Sequence, residues 1–292
     1  MWVAWTLVGD EKFYLIAGII LFFTMGKGAG VSAAVAVLFS GSLNIALKYS
    51  LNLPRPPREF WRAEASEPSF PSGHSQVSTS FWTSIVLQVR RKTLAVFSII
   101  TVTGVSLSRA FLMVHYPWDV AGGMLIGFAC GLFSVKGFGF KNVKPWLQPL
   151  ASTILISIVN IANGWEVSAS QALLGLASSF TLASSIIDRS MRIPDSLSLP
   201  ERLAMGLGVS LVALLVYISS ASIPYGILAG FFLLGLFMAS TPLSYGHFKK
   251  ILYTYSTSPK GYEPEEHCFQ SVSTRILQGL LIPRVPTCFE EA

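Results

Sequence analysis

The sequence predicts an all-α fold, a polytopic helical bundle in a membrane, and three observations lead there. Of 292 residues, 52% are hydrophobic and 12% charged, about half the charged share of a soluble domain. Mean hydropathy is +0.57, and nine apolar stretches separated by polar loops run through residues 13–239. A chain so poor in charge cannot cover a water-facing globule, and a disordered chain needs the opposite bias. The net charge is +6, yet the basic residues stand singly or in short loop clusters, without the stripe that nucleic acid requires. Cys130, Cys268 and Cys288 are an odd, widely spaced set and suggest no disulfide framework.

In chain order the stretches are Phe13 to Met25, Val31 to Leu47, Gln76 to Leu87, Leu94 to Val114, Val120 to Val135, Trp146 to Ile161, Gln171 to Ile187, Leu203 to Ser219 and Ile223 to Ala239. Several approach the ~17 to 25 residues of a spanning helix, so about nine transmembrane helices are expected. The first is short and is expected to borrow Gly26 to Ala29. Trp2 and Trp5 read as interfacial anchors. Residues 246–292 are a polar tail with four prolines and an acidic end, in which Arg275 to Ile282 is open to a membrane-surface or loop reading. Three sections follow: 1–145, a further helical section 146–245, and the tail 246–292.

Nine spans put the termini on opposite sides. Loops after spans one, three, five and seven, with the tail, hold 15 of the 21 basic residues. The positive-inside rule makes that side cytoplasmic and the other, with the N-terminus, external. The external side keeps Lys12, Lys48, Arg55, Arg58, Arg62 and Arg109.

Three external segments concentrate chemistry: Lys48 to Pro56, Phe70 to Ser75, and Ser108 to Asp119. Each lies at a helix end on one membrane face, so folding can gather them. Lys48, Arg55 and Arg109 then converge. Unpaired cations beside hydrocarbon are costly, and of the external acids Asp10, Glu11, Glu59, Glu64, Glu67, Asp119 and Glu166 only Asp119 lies within the three segments. A phosphate dianion would settle them, because arginine offers a planar fork and lysine a point charge. Ser72 reads as a helix N-cap followed by Gly73 and His74, which leaves free amides facing an anion. Pro117 suits the first position of the next helix. That makes Asp119 the third residue, able to reach back to His115. An imidazole held at one nitrogen keeps the other free to attack phosphorus. His115 is therefore the expected nucleophile and His74 the expected general acid, with charge on the phosphoryl oxygens held by the three cations and the Ser72-Gly73-His74 turn. No metal or other cofactor is called for, since no external carboxylate cluster is placed for Mg²⁺.

Other residues have plainer readings. His267, Cys268 and Cys288 match no standard zinc spacing. Asn44, one turn before Lys48, either orients it or makes an interhelical hydrogen bond. Gly26, Gly28, Gly122 and Gly123 read as turn and helix-contact glycines. Phe60 and Trp61 read as interfacial, with contact to a lipid or sugar as the sharper alternative.

The three segments resemble the signature of the type 2 phosphatidic acid phosphatase (PAP2) superfamily, which includes glucose-6-phosphatases and vanadium haloperoxidases. Its pattern is K-x6-R-P, then P-S-G-H, then S-R-x5-H-x3-D. Lys48, Arg55 and Pro56, Pro71 to His74, and Ser108, Arg109, His115 and Asp119 match every position. The resemblance covers roughly Val31 to Val135. It implies phosphate binding by Lys48, Arg55 and Arg109, acid catalysis by His74, attack by His115 and support by Asp119, which makes 1–145 the catalytic membrane core. Many lipid phosphatases of the family carry three spans before the first motif. Here there are two, and the nine-span layout is similar to that of glucose-6-phosphatases. The expected activity is a metal-independent phosphatase acting at the outer face of the cell membrane on a lipid-linked phosphate or diphosphate. A soluble sugar phosphate is the alternative substrate, and a non-catalytic phospholipid binder the alternative class. The expected partners are a phosphorylated lipid and membrane lipids. The spans after residue 145 are open to three roles: shaping a lipid portal, pairing copies in a homo-oligomer, or packing.

Overall fold

The computed structural model describes residues 2–136, 147–162, 173–179, 197–220 and 226–237. The chain divides into Met1–Gly246 and His247–Ala292, and all described residues lie in the first unit. The readings of the tail, including its membrane-surface stretch and its cysteines, therefore lie outside them. Every regular element among the described residues is helical: α1 (Trp2–Val8), α2 (Glu11–Thr24), α3 (Gly26–Leu51), a short 3₁₀ turn (Arg58–Phe60), α4 (Gly73–Val89), α5 (Lys92–Phe111), α6 (Pro117–Lys136), α7 (Leu147–Ala162), α8 (173–179), α9 (Leu199–Ser220) and α10 (Gly226–Phe237).

Four helical segments are long and apolar enough to cross a membrane: Ala29–Leu51, Lys92–Phe111, Pro117–Lys136 and Leu199–Val216. The third expected stretch becomes the 17-residue α4, about 25 Å long at 1.5 Å per residue. The first expected stretch differs at its end. Met25 closes α2, its N–H bonding to the Leu21 carbonyl (3.0 Å), and Gly26 opens α3 at once. Residues 26–29 extend α3, so they are not lent to α2. Gly30 makes this tight hairpin possible, because a Cβ there would strike the Phe22 backbone.

α3 is the central helix and packs on α2, α4, α6 and α7, while α4 and α6 make the closest pair. Their closeness is written in α6 as Gly123, Gly127 and Gly131, one turn apart. A Cβ at Gly123 would lie 2.7 Å from the Ser72 carbonyl oxygen, and one at Gly131 2.7 Å from that of Ser80. Small residues at this spacing let two backbones touch, the usual basis of helix association in lipid. A second cluster of Ile19, Phe22, Phe23, Leu38, Val209, Ala213 and Phe231 binds α2 and α3 to α9 and α10. α7 joins α3 through Ile45, Ile156 and Val159.

Trp2 and Trp5 have protein partners. Trp2 stacks on Phe111, with ring centroids 4.3 Å apart, and Trp5 covers Gly104, where a Cβ would meet its indole at 2.6 Å. The indoles dock α1 against α5, a role the anchor reading did not contain.

Candidate active site

Chain direction builds the site. α3 and α5 end where α4 and α6 begin, so the last turns of one pair face the first turns of the other. Asn52 caps α3 in the left-handed region (φ 45°), its N–H returning to the Lys48 carbonyl. Lys48 thereby stands on the last turn. Arg109 stands on the last turn of α5, His74 on the first turn of α4, and Asp119 on the first turn of α6. The chain leaves α5 through Leu112 and Met113, the latter at φ 58°. Val114 is wholly buried, and its N–H returns to the Arg109 carbonyl (3.3 Å), which presents His115 inward.

Lys48, Arg55, His74, Arg109, His115 and Asp119 meet at this end. Lys48 is buried. Its ammonium donates to the Pro68 carbonyl at 2.8 Å and lies 3.2 Å from the Glu67 carboxylate. Arg55 donates through Nε to the Glu67 carbonyl (2.6 Å) and through NH1 to the Val114 carbonyl (2.7 Å), with NH1 also 3.1 Å from His115 Nε2. Arg109 is only 4% exposed. Its NH1 donates to the Thr6 hydroxyl at 3.3 Å, and its buried Nε has no hydrogen-bond acceptor among the described residues. Such an orphan donor inside a basic pocket suits an anion. His74 is half-buried and lies within electrostatic reach of Arg109, His115, Lys48 and Arg55.

Asp119 occupies the predicted third helical position and reaches back as expected: its Oδ2 accepts the Tyr116 N–H at 2.9 Å. The same oxygen accepts the Ser69 hydroxyl at 2.5 Å and lies 3.6 Å from His115 Nδ1. Ser72 differs from its assignment as a phosphate ligand. Its N–H goes to the Asp119 carbonyl (3.0 Å) and its hydroxyl meets that of Ser75 (3.0 Å), so both groups brace α4 against α6. The amides left for an anion are those of Gly73, His74 and Ser75, which by position in the first turn have no intrahelical acceptor. Asn44 does not orient Lys48. It donates to the Pro71 carbonyl (3.1 Å) and to Gln76 Oε1 (2.9 Å), fixing that turn from α3.

Sequence reasoning missed two contributors. The segment Glu67-Pro68-Ser69 holds Arg55, Lys48 and the His115–Asp119 pair with successive residues. In the sequence Glu67 was counted only among the external acids, and its pairing with Lys48 was not foreseen. α1 is the other. Besides Thr6, it brings Gly9 so close that a Cβ would sit 3.0 Å from the His74 ring, and Asp10 lends Arg109 a nearby negative charge. Trp61 packs under Arg55 and Arg58 at 6.0 and 5.8 Å and donates to the Pro56 carbonyl, while Phe60 stays exposed.

Burial pushes the His115 imidazole down to about 4. The nearby Asp119 carboxylate opposes that shift, and Arg55, Lys48 and Arg109 add to it. Burial also lowers Arg55 from its ordinary value, against Glu67 and Asp119. His115 is thus neutral at neutral pH. A guanidinium only donates, so Arg55 at Nε2 fixes that nitrogen as the lone-pair bearer and Nδ1 as the N–H. Among the described residues no group of three or more His, Cys, Asp or Glu is arranged to hold a metal.

Three cations, the first-turn amides of a helix and a neutral imidazole gathered at one end of a helical bundle form a site suited to an anion such as phosphate. Residues 29–142 match the family model of the PAP2 superfamily, a stretch that contains all three motif segments. Members of that superfamily are generally membrane-associated phosphatases. No curated protein and no solved structure matches the chain.

Proposed function

We propose that the protein is an integral membrane phosphatase that hydrolyses a lipid-linked phosphate or diphosphate at the outer face of the cell membrane through a phosphohistidine. The observation that carries this reading is His115 Nε2 held neutral beside Arg55, in a site where Arg109 Nε has no acceptor among the described residues. The incoming phosphoryl group takes Arg55 from His115 Nε2, which uncovers the lone pair. Nε2 then bonds to phosphorus as the P–O bond to the leaving group breaks, and His74 gives that oxygen a proton. Water, deprotonated by His74, next breaks the P–N bond and frees phosphate. Lys48, Arg55, Arg109 and the amides of Gly73 and His74 hold the equatorial oxygens, where the charge of a loose phosphoryl transition state resides.

A lipid substrate is favoured by the rim. Leu53, Phe60, Phe111, Met113 and Trp118 are exposed on the loops and helix ends around the pocket, where an interfacial site would meet headgroups and the first chain carbons. The basic-residue asymmetry supports putting this end outside and the tail in the cytoplasm. Residues 1–145 form the catalytic section in this reading, and 146–245 add helices.

The test is phosphate release in detergent from a polyprenyl diphosphate, phosphatidate, phosphatidylglycerophosphate and glucose 6-phosphate side by side. Lipid substrates should turn over fastest, vanadate should inhibit, and EDTA should not. Preference for glucose 6-phosphate overturns the substrate class. Release from none, with a phosphorylated lipid still bound, identifies a binder.

A further inference from the structure

We propose that Ser69 is a positioning residue for His115, joining its imidazole to the Asp119 carboxylate through the serine hydroxyl. The proposal rests on the reading of His115 as nucleophile. Arg55 at Nε2 leaves the ring hydrogen on Nδ1, and that N–H, on a buried side chain, needs an acceptor. Asp119 Oδ2 is 3.6 Å away, beyond hydrogen-bond length. Ser69 Oγ is 3.4 Å from Nδ1 and 2.5 Å from Oδ2. The short contact marks an O–H donated to a carboxylate. With its hydrogen spent there, the hydroxyl oxygen turns a lone pair to Nδ1–H.

The surroundings hold this arrangement in place. Ser69 is wholly buried, and its own N–H donates to the Leu53 carbonyl at 2.9 Å. Asp119 Oδ2 is also held by the Tyr116 N–H, so the carboxylate cannot approach the ring without giving up a bond. When Nε2 attacks phosphorus, the ring gains positive charge. Ser69 passes the stabilising influence of the carboxylate to Nδ1–H with no proton changing owner.

Ser69→Ala, made in the full chain in detergent, removes one oxygen and little volume. Turnover should fall by about 10- to 100-fold, by analogy with the partners that orient metal-bound histidines. KM and the vanadate inhibition constant should stay within about twofold, since the cations are untouched. Ser69→Thr, which keeps the hydroxyl, should recover most of the rate. A second readout does not need activity. The chain has four histidines, so 15N-histidine labelling can isolate a downfield, exchange-protected Nδ1–H, assigned by its loss in His115→Asn. It should vanish in Ser69→Ala and persist in Ser69→Thr. Turnover of Ser69→Ala within about twofold of wild type, a loss shared by KM and vanadate inhibition, or an unchanged Nδ1–H overturns the proposal. If the wild-type protein releases no phosphate, the phosphatase reading fails, and the Nδ1–H resonance still decides whether Ser69 holds His115.

Discussion

The helices up to residue 136 and those after 146 are built by different rules. In the first region polar groups are buried in number: Ser40, Asn44, Lys48, Ser72, Gln76, Arg109 and Asp119 all lie inside. They are tolerable there because most bond to a backbone carbonyl or to one another across helices, as Asn44 does to Gln76 and Gln76 Nε2 to the Ser40 carbonyl. Among the described residues from 147 on, Glu201 and Arg202 are the only Lys, Arg, Asp or Glu, and both sit at the start of α9. The outer face of α9 shows Leu203, Leu207, Leu211 and Leu215. The first region gathers charged and titratable side chains at its helix ends. The second packs chiefly on α2 and α3 and presents apolar side chains outward.

The largest expected effect tests that division at its centre. His115→Asn should abolish phosphate release while leaving ligand affinity in place, measured by single-turnover release and ligand binding. Residual turnover would move the chemistry elsewhere. Arg109→Ala should cost about 3 kcal/mol of transition-state stabilisation, roughly a hundredfold in kcat/KM, on the scale of losing one oxyanion donor.

Acid should strike the first region through His115. Its folded value, about 4, lies below the ordinary 6.5, so as pH falls the unfolded chain takes the proton first. Stability is intact above about 6.5 and declines toward 4, by roughly 3 kcal/mol across the window. Melting temperatures at pH 7.5 and 4.5 should therefore differ more for wild type than for His115→Asn.

Two glycines give the smallest and sharpest contrast. Gly127→Val would push a side chain into the Gln76 backbone and should destabilise by about 3 kcal/mol, with turnover lost as α4 leaves α6. Gly208→Ala on α9, where a Cβ meets nothing within 4 Å, should stabilise by about 0.5 to 1 kcal/mol. Thermal melts in detergent read both. Equal outcomes would erase the distinction between the regions.

What could be read from the sequence follows the same division. α3 to α6 were visible as apolar runs, and the helix ends could be aligned because each motif abuts one: Asn52 after Lys48, Ser72 before His74, Pro117 before Asp119. The elements that complete the pocket were not visible. α1 has seven residues and two tryptophans, and a lone tryptophan at a membrane protein's start reads as interfacial because composition carries no information about Gly104 or Phe111. Glu67 and Ser69 sit among prolines with no periodicity. Their function arises from contacts across many residues, to Lys48 and to Asp119, which no local pattern encodes. The short first stretch misled for a physical reason: Gly26 to Ala29 were read as its extension, whereas Gly30 lets the chain turn back against Phe22 with no loop.

The strap of Glu67, Pro68 and Ser69 also sets where this molecule is mechanically vulnerable. It grips a lysine, an arginine and an imidazole at once, yet it belongs to the extramembrane crossing from Leu53 to Phe70, which includes exposed Glu59, Phe60 and Glu64. One backbone nick there, by a protease that never enters the bilayer, would let three holdings slacken together while the greasy rods beneath stayed bundled. Such a cut would loosen the site long before it unfolded the bundle.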